Sequence, residues 1–126
     1  MTGAPMSKAQ IARELLGFEQ GLRTAHGHVL TIERAKLSDG RISTVTVAPT
    51  DPASTGLAWV EMVDEVIIEV GRFGRWELDH TEDGLEFLKA IVRAVIAGDV
   101  VEQAAGRGGK TTVRLEDGST AHSERY

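Results

Sequence analysis

The chain contains no cysteine among its 126 residues. It therefore cannot form disulfides, bind zinc through thiolates or use a cysteine nucleophile. No stretch reaches the roughly 18 consecutive apolar residues that a transmembrane helix needs. The first residues also lack the basic start and apolar run of a signal peptide. From these absences we expect a cytoplasmic protein with no membrane partner.

Basic residues are scarce in the middle of the chain. The whole chain carries a net charge of −5. Residues 61–86 hold nine acidic residues against two basic ones, a net charge of −7. This excess opposes contact with phosphate backbones, so we expect no nucleic acid partner. It favours a basic protein partner through charge complementarity, although a solvated surface without a partner is the alternative interpretation.

The clearest element is an amphipathic helix over residues 79–98. Asp79 or Thr81 marks its start, and Gly98 suits the left-handed conformation that follows a helix end. At a rotation of about 100° per residue, one side of this helix is apolar. That side comprises Leu85, Leu88, Val92, Val95 and Ile96, widened by Phe87 and Ile91. We expect this face to pack on a sheet.

The sequence patterns before this helix predict one further helix and four strands. Ser7 is the expected N-cap of a helix over residues 7–23. Alternating side chains and an Asp-Gly turn at Asp39 predict a hairpin of two strands. Residues 57–70 are ambiguous at their start and end in the β-branched run of a central strand. The predicted strands are 28–37, 41–48, one within 57–70, and 75–79.

Two strands are predicted after the helix. The first begins at residues 100–103, residues 104–109 form a loop, and residues 110–116 form the last strand. The tail over 119–126 is either frayed or a short edge strand. The expected fold is a single α+β domain over residues 1–126 in the order α-β-β-β-β-α-β-β. Its mainly antiparallel sheet has two helices on one face and leaves the other face open, and we expect residues 1–6 and 119–126 to be flexible.

Three patterns suggest chemistry, and each also has a structural interpretation. The run from Gly106 to Thr112 resembles a phosphate loop, but Ala104 stands where the first glycine belongs and no helix follows. His26 and His28 could begin a metal site only if His80 and a carboxylate joined them. Asp79, Glu82 and Asp83 suit the positive end of a helix dipole rather than acid–base catalysis. We therefore expect no cofactor, no metal and no catalytic residues.

An exposed aromatic residue beside basic residues is a candidate interface anchor. Phe73 lies at a predicted hairpin tip between two glycines, next to Arg72. Aromatic residues and arginine are enriched where binding energy concentrates.

The segment over residues 65–98 reads EVIIEVGRFGRWELDHTEDGLEFLKAIVRAVIAG. It resembles the β-hairpin and helix of small bacterial immunity proteins of polymorphic toxin systems. This resemblance implies a non-enzymatic, often acidic cytoplasmic protein that covers the active surface of a toxin. It carries no motif that assigns a functional residue. The element order also resembles dimeric secretion-chaperone domains, which would imply a homodimer.

The resulting hypothesis is a protein-binding module, plausibly an immunity protein, with an acidic face for a basic toxin or effector. One alternative is a secretion-chaperone-like dimer. Another is a small ligand-binding protein or enzyme with a pocket between helix and sheet. The candidate partner-binding residues are Glu61, Asp64, Glu65, Glu69, Arg72, Phe73, Glu77, Asp79, Glu82 and Asp83.

Overall fold

The alternating and β-branched segments form strands, and the two amphipathic segments form helices. The structure is a computed structural model and describes residues 3–37 and 39–125. Within these residues the elements are α1 (Lys8–His26), β1 (Leu30–Leu37), β2 (Ile42–Pro49), β3 (Leu57–Glu61), β4 (Glu65–Val70), β5 (Gly74–Asp79), α2 (Glu82–Ile96), β6 (Val100–Ala105), β7 (Gly108–Arg114) and β8 (Thr120–Arg125).

Both helices begin at side-chain caps. Ser7 caps α1, and its hydroxyl and the Gln10 side chain bond each other's backbone N–H groups in a capping box. This confirms the predicted N-cap. Thr81 caps α2, so Thr81 and not Asp79 is the correct choice. Gly98 follows the last turn of α2 with φ +85°, as predicted.

Two antiparallel sheets replace the one that was expected. Strands β1 to β5 form a main sheet in chain order, and β6 to β8 form a second sheet. The ambiguous segment over residues 57–70 is two strands, because the chain turns back at 62–64 and the Met62 N–H bonds the Glu65 carbonyl. The tail forms the edge strand β8. The order is therefore α-β×5-α-β×3 in a single α+β fold.

Both helices pack on one face of the main sheet, as expected. Phe18 of α1 places its ring centroid 6.1 Å from that of Trp59 on β3. The charged groups of Lys89 and Arg93 on α2 lie 5.9 and 5.6 Å from the centroid of the same Phe18 ring, so the two helices and the sheet meet there. Trp59 has no exposed surface and belongs to one apolar core with Val113 of the second sheet.

The second sheet adjoins the free edge of β5. The Ser123 hydroxyl accepts a hydrogen bond from the Arg75 N–H at 3.0 Å. It lies 3.1 Å from the Arg75 carbonyl oxygen, to which it donates. The Glu102 carboxylate accepts a hydrogen bond from the Arg72 N–H at 2.6 Å and another from the Thr111 hydroxyl at 3.1 Å. These contacts attach the β4–β5 turn to the second sheet.

The β6–β7 connection and the two terminal segments differ from what the sequence predicts. The loop expected over 104–109 is shorter, since residues 104–105 belong to β6 and residues 108–109 to β7. Both terminal segments were expected to be flexible, but each takes part in the fold. Residues 3–6 form backbone hydrogen bonds to the start of α2, and residues 120–125 form β8. Residues 1, 2 and 126 lie outside the described part. No helix in that part is both long and apolar enough to cross a membrane.

Candidate protein-binding surface

The face of the main sheet opposite the helices carries the acidic residues. Antiparallel register decides this, because directly paired residues point to the same face and successive residues alternate. Trp59 pairs with Ile68 in the core, so Glu69 points away from the helices. By the same rule Glu65, Glu77 and Asp79 share that outer face. We call this surface the acidic face; its carboxylates are Glu33, Glu65, Glu69, Glu77 and Asp79.

Two of these carboxylates face each other across neighbouring strands. Glu65 of β4 pairs directly with Asp79 of β5. Like charges in directly opposite positions destabilise a sheet. No basic side chain forms an ion pair with either residue within residues 3–37 and 39–125. A cation supplied by a partner would remove this repulsion.

More carboxylates adjoin this pair. Asp64 immediately precedes Glu65 in the β3–β4 turn, and Glu82 and Asp83 lie in the first turn of α2, just after Asp79. Asp64, Glu82 and Asp83 are exposed. The acidic face therefore continues at one end into an acidic corner, which comprises Asp64, Glu65, Asp79, Glu82 and Asp83.

The centre of the acidic face is partly neutralised. Arg75 is the one basic residue that strands β1 to β5 place on this face. Its guanidinium lies 3.2 Å from the Glu77 carboxylate and 4.0 Å from the Glu69 carboxylate. Arg125 of β8 also approaches Glu69, at 4.0 Å. Exposed pairs of this kind contribute only about 0–1 kcal/mol each, so a partner can exchange them readily.

Glu61 is not part of the acidic face, and its assignment to an exposed surface was wrong. It points to the helix side of β3 and is 6% exposed. Both of its oxygens accept hydrogen bonds from Arg34, at 3.3 and 2.9 Å, and one also accepts from the Trp59 indole at 2.9 Å. Glu61 is buried because these donors replace its hydration.

Glu61 belongs to a buried ion network that the sequence did not predict. Arg34 also donates through Nε to Glu19 at 2.7 Å, and Arg23 donates to Glu19 at 2.8 Å. Burial alone would raise the pKa of Glu19, but the hydrogen bonds from Arg23 and Arg34 and their charges hold that pKa below its usual value. Burial opposes the charge of Arg34, yet Glu61 and Glu19 raise its pKa. The network joins α1 to β1 and β3.

Phe73 is also buried, at 7% exposure, so the expectation of an exposed anchor was wrong. Its ring packs against the backbone of Gly109, where a side chain would not fit. Arg72 is exposed, and its guanidinium lies 5.1 Å from the centroid of the Phe73 ring. These two residues lie at the opposite end of the β4–β5 hairpin from the acidic corner.

The histidines do not come together. His26 is the last residue of α1, and His28 lies in the following turn rather than on a strand. His80 lies between β5 and α2, and its Nε2 is buried without a hydrogen-bond partner among the residues that the structure describes. Among residues 3–37 and 39–125, no three His, Asp or Glu side chains are arranged to hold a metal. Gly106 lies in a tight β-turn, with strands before and after it.

One carboxylate and the apolar part of the acidic face were not predicted from the sequence. Glu33 of β1 shares a row across the sheet with Glu69 and Arg75. Val60 and Ile67 pair directly in the middle of the same face. Successive residues of a strand point to opposite faces, so Glu33 lies on the face away from the buried Ile32. The alternation along β1 therefore allows Glu33 to be predicted from the sequence. Comparison of the chain with protein-family models finds no match, and comparison with curated protein sequences also finds none.

Proposed function

We propose that this protein is a non-enzymatic protein-binding module whose acidic face and acidic corner bind a basic protein surface. An immunity protein that covers a toxin or effector is the form of this function that we favour. The candidate residues for this contact are Asp64, Glu65, Glu69, Glu77, Asp79, Glu82 and Asp83, joined by Glu33. Glu61, Arg72 and Phe73 are not part of the proposed contact.

The observation that carries the proposal is the direct pairing of Glu65 with Asp79 on the sheet face opposite the helices. This arrangement disfavours folding, and it gains free energy when a lysine or arginine of a partner approaches both carboxylates. Complementary charge also accelerates encounter with the correct partner and disfavours acidic competitors. The pair is therefore better suited to a complex than to an isolated domain.

The middle of the face supplies contacts that are not electrostatic. Val60 is half-buried and accessible there, Ile67 beside it is buried, and the surrounding side chains on β2 are Thr44 and Thr46. An apolar centre within a polar rim is the usual composition of a protein interface. A basic partner would contact the acidic corner first and then pack against this centre.

The test is a double charge reversal, Glu65→Lys with Asp79→Lys. The two lysines retain a like-charge pair, so folding stability should change little, while attraction for a basic partner is lost. If the reading frame beside this one encodes a toxin, co-expression of the wild-type protein should protect cells from it. The double variant should lose protection, and its association rate with the purified toxin should fall at least tenfold.

The matched control is Glu14→Lys with Glu116→Lys, which changes the net charge equally at exposed positions away from the acidic face. This control should protect cells and associate almost as fast as the wild type. Equal association rates for the wild type and the Glu65/Asp79 variant would refute the proposal. Equal losses in both double variants would refute it too, because the effect would then come from net charge.

A cavity favours ligand binding as a second candidate function. It has a volume of about 470 Å³ and lies between the C-terminal end of α2 and the main sheet. Its apolar walls include Leu30, Val47, Leu57, Val95 and Ile96. A small apolar alcohol such as cyclohexanol should then cause saturable NMR shifts confined to these residues. The chaperone alternative has no comparable support, since the exposed large hydrophobic side chains within the described residues lie on separate elements.

A further inference from the structure

A second opening lies on the helix side of the main sheet, between α1 and strands β1 to β3. Its floor includes one row of directly paired residues, Lys36, Ser43 and Glu61. The same row continues through Val66 and Leu78 into the core. The row is therefore polar on β1 to β3, where it lines the opening, and apolar on β4 and β5, where it joins the core. We call this opening the cationic cleft; its volume is about 370 Å³.

One stripe of α1 forms the opposite wall. Lys8, Ile11, Ala12 and Leu16 line the cleft, and their spacing of three and four residues places them on one side of the helix. The Lys8 ammonium donates a hydrogen bond to the Arg41 carbonyl at 2.7 Å and so connects the helix to the β1–β2 turn. Apart from Lys8, the wall is apolar.

The charge of the cleft is opposite to that of the protein. Four of its lining residues are cationic, Lys8, Arg34, Lys36 and Arg41, and Glu61 is the one carboxylate among them. The lining therefore carries a formal charge of +3, whereas the whole chain carries −5. Glu61 is already bonded by Arg34 and Trp59, so it does not neutralise the lysines.

One residue of the cleft has a buried polar atom without a hydrogen-bond partner in the described part of the chain. His80 is among the lining residues, and its Nε2 is buried with no hydrogen bond within the described chain. An unsatisfied buried polar atom destabilises a fold by about 1–3 kcal/mol. A ligand that bonded this nitrogen would remove that penalty.

We propose that the cationic cleft binds a compact organic anion whose phosphate or carboxylate group contacts Lys8, Lys36 and His80 and whose apolar part lies on the α1 stripe. The volume lies at the lower end of the roughly 300–1,000 Å³ typical of small-molecule sites. A bare inorganic ion would leave the apolar wall formed by Ile11 and Leu16 without contact. This site lies on the helix side of the sheet, opposite the acidic face, and approaches the acidic corner only at His80, which stands between Asp79 and Glu82 in the chain. It does not depend on the proposed function.

Inward-pointing charges also protect the edge strands of sheets from pairing with other chains. Because β1 is an edge strand, Lys36 could serve that purpose alone. This alternative predicts self-association of a Lys36→Gln variant and no specific anion binding. Neither the His80 nitrogen nor the apolar stripe on α1 follows from it.

The experiment is an NMR titration of the ¹⁵N-labelled protein with phenyl phosphate, benzoate and neutral phenol. Either anion should cause saturable shifts at residues such as Lys8, Ile11, Ser43 and His80, whereas phenol should cause none. The relative affinities of the two anions decide between phosphate and carboxylate. Lys36→Gln and Lys8→Gln should each weaken binding about tenfold, the loss expected for one hydrogen bond to a charged group.

Two further variants separate binding from folding. Lys110→Gln removes a lysine from β7, outside the cleft, and should leave the affinity unchanged. His80→Phe should weaken anion binding without lowering the thermal midpoint, since it removes an unpartnered buried nitrogen. The proposal is overturned if neither anion saturates by about 10 mM, if phenol causes the same shifts, or if Lys110→Gln weakens binding as much as Lys36→Gln. It is equally overturned if Lys36→Gln only promotes self-association, as sedimentation velocity would detect.

Discussion

At the scale of single residues, Arg34 connects three elements on the helix side of the main sheet. Its guanidinium bonds Glu19 of α1 and Glu61 of β3 at once. Removal of one partner from such a buried network leaves an uncompensated charge, which is more destabilising than the loss of an exposed ion pair. The position of α1 over β1 and β3 therefore depends on these carboxylates being ionised.

The ionisation of Glu19 should make stability depend on pH. Its pKa in the folded protein lies below the ordinary value of 4.5. Its contribution is therefore complete above that pH and is lost as the pH falls through the folded pKa. Glu19→Gln should reduce the free energy of unfolding at pH 7 by about 3 kcal/mol. The difference from the wild type should shrink as the pH falls below 4.5.

Urea unfolding at a series of pH values measures this difference. Glu14→Gln is the matched control, because Glu14 is an exposed residue of the same helix. The free energy of unfolding of the Glu14→Gln variant should change with pH in the same way as that of the wild type. If the Glu19→Gln curve also ran parallel to the wild type, Glu19 would have no stabilising ion pair.

At the scale of elements, the start of α2 separates two roles that the sequence places close together. The Thr81 hydroxyl accepts a hydrogen bond from the Gly84 N–H at 3.0 Å and caps the helix. Asp79, the other candidate cap, ends β5 and faces Glu65. Because α2 begins at Glu82, the N-cap position is Thr81, and Asp79 lies two residues too early in the chain to cap the helix. Thr81 therefore stabilises the helix, and Asp79 contributes charge to the acidic corner.

Alanine substitutions of Thr81 and Asp79 should distinguish these roles, because they should change the free energy of unfolding in different directions. Thr81→Ala should lower the free energy of unfolding by about 1 kcal/mol, because the Gly84 N–H loses its acceptor. Asp79→Ala should leave stability unchanged or raise it by a few tenths of a kcal/mol, because the repulsion from Glu65 disappears. Urea unfolding followed by far-ultraviolet circular dichroism measures both. A larger loss for Asp79→Ala would show that Asp79 is the effective cap.

At the scale of the whole molecule, the β4–β5 turn connects the main sheet to the second sheet through Glu102. Gly71 adopts φ +56° in this turn, and a side chain there would overlap the Glu102 carboxylate. That carboxylate also bonds the hydroxyl of Thr111, which has no exposed surface. The β4–β5 turn therefore packs closely against the second sheet, and this packing buries Phe73.

A comparison of two glycines isolates the contribution of this contact. Gly106 has a similar φ of +61°, but no atom lies within 4 Å of a side chain added there. Gly106→Ala should therefore lose only the backbone preference, about 1 kcal/mol. Gly71→Ala should lose about 2 kcal/mol more, because it displaces Glu102 and leaves Thr111 unsatisfied. Equal losses in urea unfolding would mean that the turn does not depend on Glu102.

The sequence by itself determined the elements that depend on neighbouring residues. Both helices, the cap at Ser7, the position of Gly98 and the hairpin around Asp39 follow from periodicity and local hydrogen bonding. These signals act within a few residues, so no tertiary context is needed to recognise them. The α+β class, the antiparallel pairing and the two helices on one face follow from the order of those elements and their short connections.

Only the tertiary structure decided which charged and aromatic side chains are exposed. Glu61 is buried because Arg34, 27 positions earlier, bonds it. Phe73 is buried because its ring packs against Gly109 of the second sheet, which Glu102 holds to Arg72 across 30 positions. Composition cannot distinguish these residues from Glu65, whose carboxylate faces Asp79 on the open side of the sheet. The alternation of a strand fixes which residues share a face, but packing against distant segments decides which face is covered. Because both helices pack on one face of the main sheet, the acidic face and the cationic cleft lie on opposite sides of that sheet.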